Sequence, residues 1–366
     1  MEGLVIRAMA HAHDPSFWAG RRVLLTGHTG FKGSWLALWL HEMGAKVFGL
    51  SLPAEPVSLF RQARIDELVD HREGDIRDIE TVRDAVRAAD PEIVFHLAAQ
   101  PLVRLSYEMP VETFATNVQG TVHVLDACRS APSLRAVVCI TSDKAYENRE
   151  WVWPYRESDP MGGYDPYSAS KGAAELIIAA YRRSFFSSEG SALIASVRAG
   201  NVIGGGDWAG DRLIPDIVRA LIVGEPPIVR NPRAIRPWQH VLEALGGYLL
   251  IAEALARGER SAADGWNFGP ADDDTQPVSW IADHMTRQWG APGWIHPEGS
   301  SGPHEANVLR LDCAKARTQL GWRPAWRLDE ALSRIVTWHK DVAGGADARA
   351  VTRAQLADYR SAFIQV

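Results

Sequence analysis

From Arg22 onward, short runs of apolar, β-branched residues alternate with longer stretches in which apolar positions recur at helical spacing. Buried strands show as continuous apolar runs of about four to eight residues, and amphipathic helices show as the longer period. The alternation therefore predicts strand-helix-strand units that build one parallel sheet, an α/β fold of the doubly wound kind. Residues 23–26, 46–50, 93–97, 136–141 and 193–197 read as strands. Residues 31–43, stopped by Gly44, and residues 79–88, 111–130 and 167–185 read as helices.

After Arg198 the rhythm breaks into Gly204-Gly205-Gly206-Asp207-Trp208 and Glu225-Pro226-Pro227, with a short helical pattern at 213–223. This predicts a smaller C-terminal lobe laid over the carboxyl ends of the strands. The helical pattern at 239–256 returns to the first domain. The expected division is a sheet domain at 20–200 rejoined by 237–262, a lobe at 201–236 and 263–330, and a helical tail at 331–366. The chain has no internal repeat, and the residues up to Trp18 and beyond Ala343 carry no motif.

Composition narrows the partners. The chain has 366 residues, 46% hydrophobic and 23% charged, which suits a globular protein too long for one small domain. Lys and Arg number 39 against 45 Asp and Glu, without long runs of one sign, so neither nucleic acid nor an anionic membrane is an expected partner. Cys128, Cys139 and Cys313 show no metal-ligand spacing and no disulfide framework; reduced, buried thiols and no metal are expected. The apolar run Leu4-Val5-Ile6 is too short for a signal peptide, and Trp35 to Leu40 falls far below the ~20 residues that span a bilayer. A cytoplasmic location is expected.

Gly27, Gly30 and Gly33 follow the first strand and open the first helix. There, absent side chains let the backbone turn sharply and let a pyrophosphate approach free N–H groups at the helix start. A plain tight turn is the bland alternative. The acid that normally ends the second strand and binds the adenosine ribose is missing, because that strand ends Gly49-Leu50-Ser51-Leu52 and no acid precedes Glu55. His28 and Lys32 could add charge near a 2'-phosphate, so the residues alone leave NAD and NADP both open. Asp75 could cap the adenine edge or serve as a helix N-cap.

Tyr167 and Lys171 stand four residues apart at the start of a helix and share one face. An ammonium beside a phenol favours the phenolate, which can take a proton from an alcohol as hydride leaves. Thr141-Ser142, at a strand end, could share that alcohol.

These residues resemble the extended short-chain dehydrogenase/reductase family. The glycine turn, His96-Leu97-Ala98-Ala99, Thr141-Ser142 and Tyr167 through Lys171 carry the resemblance, which covers about residues 21–326. It implies a Rossmann-type domain with a nicotinamide cofactor on Gly27, Thr29, Gly30, Phe31, Lys32, Gly33, Asp75, Ile76, Leu97, Ala98, Ala99, Thr141, Tyr167 and Lys171. It also implies a lobe for a nucleotide sugar, bound by Asn201, Arg212 and Arg236. Arg236 suits a diphosphate because its planar fork matches phosphate oxygens.

Ser142-Asp143-Lys144 narrows the resemblance. Epimerases of the family carry small or hydroxyl residues after the serine, whereas its 4,6-dehydratases carry an acid followed by a base. Loss of water across C5 and C6 of a 4-keto sugar needs one group to take the C5 proton and another to protonate the leaving hydroxyl. Asp143 and Lys144 can supply both, with Ser142, Tyr167 and Lys171 completing the catalytic set. With Gly27 through Trp35 and Arg236 through Val241, this stretch resembles the branch acting on CDP-linked glucose with NAD. Relatives acting on dTDP-glucose carry Glu where Lys144 stands, and inverting UDP-N-acetylglucosamine dehydratases carry Met in place of Tyr167.

Rival readings are a 4-epimerase or 4-reductase, which has no use for Asp143 and Lys144, and a non-catalytic dinucleotide-binding regulator. The loop 204–212, with Asp207 and Trp208, is a candidate reader of the cytosine base. Relatives pair the helices at 111–130 and 167–185, which implies a homodimer or homotetramer.

Overall fold

The computed structural model describes residues 14–297 and 308–363; the apolar run Leu4-Val5-Ile6 lies outside them. Seven strands form a parallel sheet: β1 (Arg22–Thr26), β2 (Lys46–Ser51), β3 (Asp70–Glu73), β4 (Ile93–His96), β5 (Ala136–Ile140), β6 (Leu193–Ala199) and the later strand Gly265–Phe268. Between β6 and that last strand, β7 (Asn201–Ile203) pairs with β8 (Trp238–His240) as a separate ribbon, so Gly265–Phe268 is β9. The sheet order is β3-β2-β1-β4-β5-β6-β9.

The central strands are mainly apolar because helices cover both faces; β4 and β5 are buried at every residue. β3 lies at the edge, is exposed at three of its four residues, and reads Asp-His-Arg-Glu, which leaves no apolar signal. Strand order reverses between β1 and β4, whose neighbours lie on opposite sides. In such sheets the crevice outside the carboxyl ends of these two strands is where ligands bind.

Helix α1 (Phe31–Glu42) follows β1 and is buried continuously from Gly33 to Leu40. Trp39 meets Tyr359 edge to face with ring centroids 5.7 Å apart. Helix α2 (Ile79–Ala89) covers the other face. Residues 110–128 run as one rod with a π turn at Ala115–Gln119, and helix α3 (Pro166–Phe185) packs against it. Asp165 caps α3 by accepting from the Ser168 N–H at 2.9 Å and hydroxyl at 2.7 Å, with Pro166 in the first turn.

Beyond β6, helix α4 (Leu213–Ile222), helix α6 (Val278–Trp289) and helix α7 (Leu328–Ala343) share one apolar core, while α5 (Val241–Ala256) between them packs on β5 and β6. One expectation needs correction. Gly265–Phe268, expected in the lobe, is an edge strand of the main sheet bonded to β6. The tail is helical: α7 completes the lobe core, and α8 (Ala348–Phe363) lies against α1.

Candidate active site

The glycine turn meets the requirement for close backbone approach. Gly27 has φ +81°, and a Cβ there would fall 2.6 Å from the Ala98 nitrogen; a Cβ on Gly33 would fall 2.1 Å from the Gly27 oxygen. Gly30 caps α1 without a side-chain hydrogen bond, so the first-turn amides face outward. Thr29 steadies the turn by donating to the Leu52 carbonyl at 3.1 Å. Leu97, Ala98 and Ala99 follow β4, and the Leu97 and Ala98 N–H groups donate to Thr26 at 3.0 and 3.3 Å. This bare, rigid cradle fits a dinucleotide pyrophosphate.

At the end of β2 the place of the missing acid is taken by a histidine cluster. Buried His28 bonds Ser51 Oγ at 2.8 Å and His71 Nδ1 at 2.7 Å. Burial, then the neighbouring His71, lowers its pKa to about 3, so the ring is neutral. The expectation that His28 supplies charge for a 2'-phosphate is thus corrected. Asp75 is not a helix N-cap: Asp78 caps α2, and Asp75 accepts from the Arg77 guanidinium at 2.6 Å. Ile76 is buried against the core.

Lys32 stands in the first turn of α1. It lines a cavity of about 290 Å³ shared with Phe31, Thr141, Ser142, Asp143, Lys144 and Tyr167 on one wall. Asn201, Arg212 and Arg236, expected at the substrate, line the same cavity. Burial, followed by the charges of Lys171 and Arg212, lowers the Lys32 pKa to about 7.

β5 delivers the central groups. Ser142 opens a short 3-10 turn, Asp143–Ala145, by accepting from the Lys144 N–H at 3.2 Å, and its hydroxyl donates to Asp143 Oδ1 at 3.0 Å. Asp143 Oδ2 is buried and has no hydrogen-bond partner among the described residues. Burial raises the Asp143 pKa against the opposing pull of Lys144 and Ser142. Tyr167, in the first turn of α3, is held by its N–H on Ser106 Oγ at 3.1 Å.

Burial pushes the Tyr167 phenol up to about 12, with Ser142 and Arg212 pulling it down. It also pushes Lys171 down to about 8, opposed by Glu175. The Thr141 hydroxyl donates to Glu175 at 2.5 Å, and Thr141 and Ser142 both line the cavity.

Residues 24–335 match the sequence profile of the GDP-mannose 4,6 dehydratase family. The chain belongs to that family. Among curated relatives of these dehydratases, the CDP-glucose 4,6-dehydratase of Salmonella typhimurium is 55% identical, over 95% of this chain and 99% of its own length. Two solved structures share the architecture. An epimerase, Mth375 from Methanothermobacter thermautotrophicus, aligns with TM-score 0.77 at 21% identity, over 92% of this chain and 96% of its own. MoeE5 in complex with UDP-glucose and NAD aligns with TM-score 0.74 at 25% identity, over 87% of this chain and 99% of its own.

Some members of this dehydratase's site were not read from the sequence. Glu175 lies one turn after Lys171 on the same helix face, a spacing that could have flagged it; it forms a bidentate pair with Arg198, at 2.8 Å for each contact. Arg104, Asp216 and Arg230 also line the cavity, brought there by segments distant in sequence, and no local pattern marks them.

Proposed function

We propose that this enzyme is a CDP-glucose 4,6-dehydratase that converts CDP-glucose to CDP-4-dehydro-6-deoxyglucose and water with NAD bound, a hydro-lyase of deoxysugar synthesis. The observation that carries it is the pairing, on one 3-10 turn, of Lys144 with an Asp143 that lines the Tyr167 cavity and whose buried Oδ2 has no hydrogen-bond partner among the described residues. The 55% identity to a curated enzyme of that name supports the choice of nucleotide.

Gly27, Thr29, Gly30, Phe31 and Gly33 hold the dinucleotide pyrophosphate, and Leu97, Ala98 and Ala99 wall it from the β4 side. Asp75 and Ile76 lie toward the adenine. The neutral His28 offers no countercharge for a 2'-phosphate, which favours NAD over NADP. Lys171 has no hydrogen-bond or ion-pair partner among the described residues, so its ammonium is available to the cofactor ribose and to Tyr167. When bound, NAD supplies the acceptor for the C4 hydride and its return to C6.

Tyr167, as the phenolate that the Lys171 ammonium favours, takes the proton of the 4-hydroxyl, with the Ser142 hydroxyl beside it. A ketone at C4 makes the C5 hydrogen acidic; Lys144 removes it and, as hydride returns to C6, gives a solvent-exchanged proton back to C5. Asp143, whose carboxyl burial pushes above the usual carboxylate range, donates through Oδ2 to the departing 6-hydroxyl, which leaves as water. Arg212 and Arg236 balance the diphosphate, and Asn201 hydrogen-bonds beside them. An epimerase would need no such acid-base pair at the β5 end.

Incubation with CDP-, dTDP-, UDP- and GDP-glucose tests the reading. CDP-glucose should give a keto-deoxy sugar that absorbs in alkali, faster than the others and with NAD rather than NADP. Epimerised sugar without loss of water would overturn it. A homodimer belongs to the same reading, supported by exposed Val111, Phe114, Leu176 and Phe185 on the paired helix faces. Leu176→Glu should shift sedimentation toward monomer. Cytoplasmic residence fits three cysteines that are all unpaired and buried, and no described helix is long and apolar enough to cross a membrane.

A further inference from the structure

The cavity holds a second pair of opposite charges with no part in the chemistry above. Asp216, in the first turn of α4, and Arg230, on the segment that follows α4, both line it, and Arg230 Nη2 stands 3.8 Å from Asp216 Oδ2. Each has a second partner: Arg219 binds the other Asp216 oxygen, Oδ1, and Asp211, which also lines the cavity, accepts from Arg230 Nη1 at 3.1 Å. Pro215, Ile228 and Val278 add apolar surface to the same wall, as a slot for a flat ring requires. Tyr167, Ser142 and Asp143 come from the sheet domain, whereas this pair is built wholly on the lobe.

We propose that Asp216 and Arg230 read the pairing edge of the nucleotide base and select cytosine. This rests on the CDP-glucose reading above and names the specificity device within it. The pair presents a hydrogen-bond acceptor beside a donor. Cytosine offers the complement, a donor at N4 beside an acceptor at N3. Uracil and thymine offer the inverse, an acceptor at O4 beside a donor at N3, so the Asp216 carboxylate meets an oxygen and the Arg230 guanidinium meets an N–H. Guanine's O6 and N1–H are inverted in the same way. A site that leaves buried polar groups facing like groups rejects the wrong ligand far more strongly than a shape mismatch does. The contact to N4 is also charge-assisted.

The test is kcat/KM for CDP-glucose and UDP-glucose in the wild type and in Asp216→Asn, whose amide can donate to O4. The CDP to UDP preference should fall by about a hundredfold, carried mainly by KM, because Asp216 does not reach the reacting carbons. Competition by CMP and UMP gives a second readout that needs no sugar chemistry. CMP should inhibit more tightly than UMP in the wild type, and Asp216→Asn and Arg230→Gln should each erase that advantage. An unchanged preference in Asp216→Asn, or equal inhibition by CMP and UMP in the wild type, would overturn the assignment. Failure of the wild type to dehydrate CDP-glucose would instead strike the functional reading, and the nucleotide competition still decides the base-reading pair.

Discussion

Two buried carboxylates flank the carboxyl end of β5, and burial acts on them in opposite ways. Glu175 accepts from Thr141, from Ser196 at 2.7 Å and from both arms of Arg198. Burial alone would raise its pKa, but the Arg198 charge and these bonds hold it below the usual range. Asp143 has one hydroxyl donor on Oδ1 and no partner on Oδ2 among the described residues, and burial wins, raising it. A cation gripping both oxygens makes a carboxylate part of the frame. Its absence leaves one that can hold and release a proton.

Glu243 sharpens the point. It accepts from the Trp326 N–H at 2.8 Å, the Ala325 N–H at 3.0 Å and the Tyr359 hydroxyl at 2.9 Å, yet burial pushes it up to about 7. Three neutral donors do not replace one guanidinium.

The largest expected effect is on Asp143. Asp143→Asn should lower kcat by about 10²- to 10⁴-fold while thermal unfolding stays level or rises, since a neutral amide is easier to bury. Arg198→Met should do the reverse, costing about 3–5 kcal/mol of stability in denaturant titration. Adding Glu175→Leu should recover much of that, because it removes the stranded charge.

Glu243 gives the next effect. Its folded pKa, about 7, lies above the ordinary 4.5, so the folded state keeps a proton that the unfolded state releases between those values. The associated stability is full below pH 4.5 and is lost as pH rises through about 7, roughly 3 kcal/mol in all. Glu243→Gln should flatten that part of the stability profile between pH 5 and 8. The smallest effect belongs to a solvated pair: Arg22 and Asp90, 3.2 Å apart and more than a third exposed, should contribute under about 1 kcal/mol when Arg22→Ala is compared by unfolding.

The sheet was legible where strands are buried on both faces, because β1, β4, β5 and β6 appear as apolar runs. β7, β8 and β9 were not read as strands, because Asn-Val-Ile, Trp-Gln-His and Gly-Trp-Asn-Phe are set by pairing and place, not by hydrophobic pattern. The catalytic candidates on β5 and α3 could be read because strand ends and helix starts converge in a doubly wound fold. Lys32 stands beside the glycine turn, and only the fold shows that it also lines the cavity with Ser142 and Tyr167. The partners of Glu175, and the contact of Asp216 with Arg230, depend on tertiary packing that no local spacing records.

The central claim, that Asp143 and Lys144 turn an oxidation into loss of water, is tested most directly at C5. Turnover of CDP-glucose in deuterium oxide should place solvent deuterium at C5 of the keto-deoxy product, and Lys144→Met should make no such product while keeping NAD affinity. Product formation by Lys144→Met at the wild-type rate, or a product without deuterium at C5, would contradict the account.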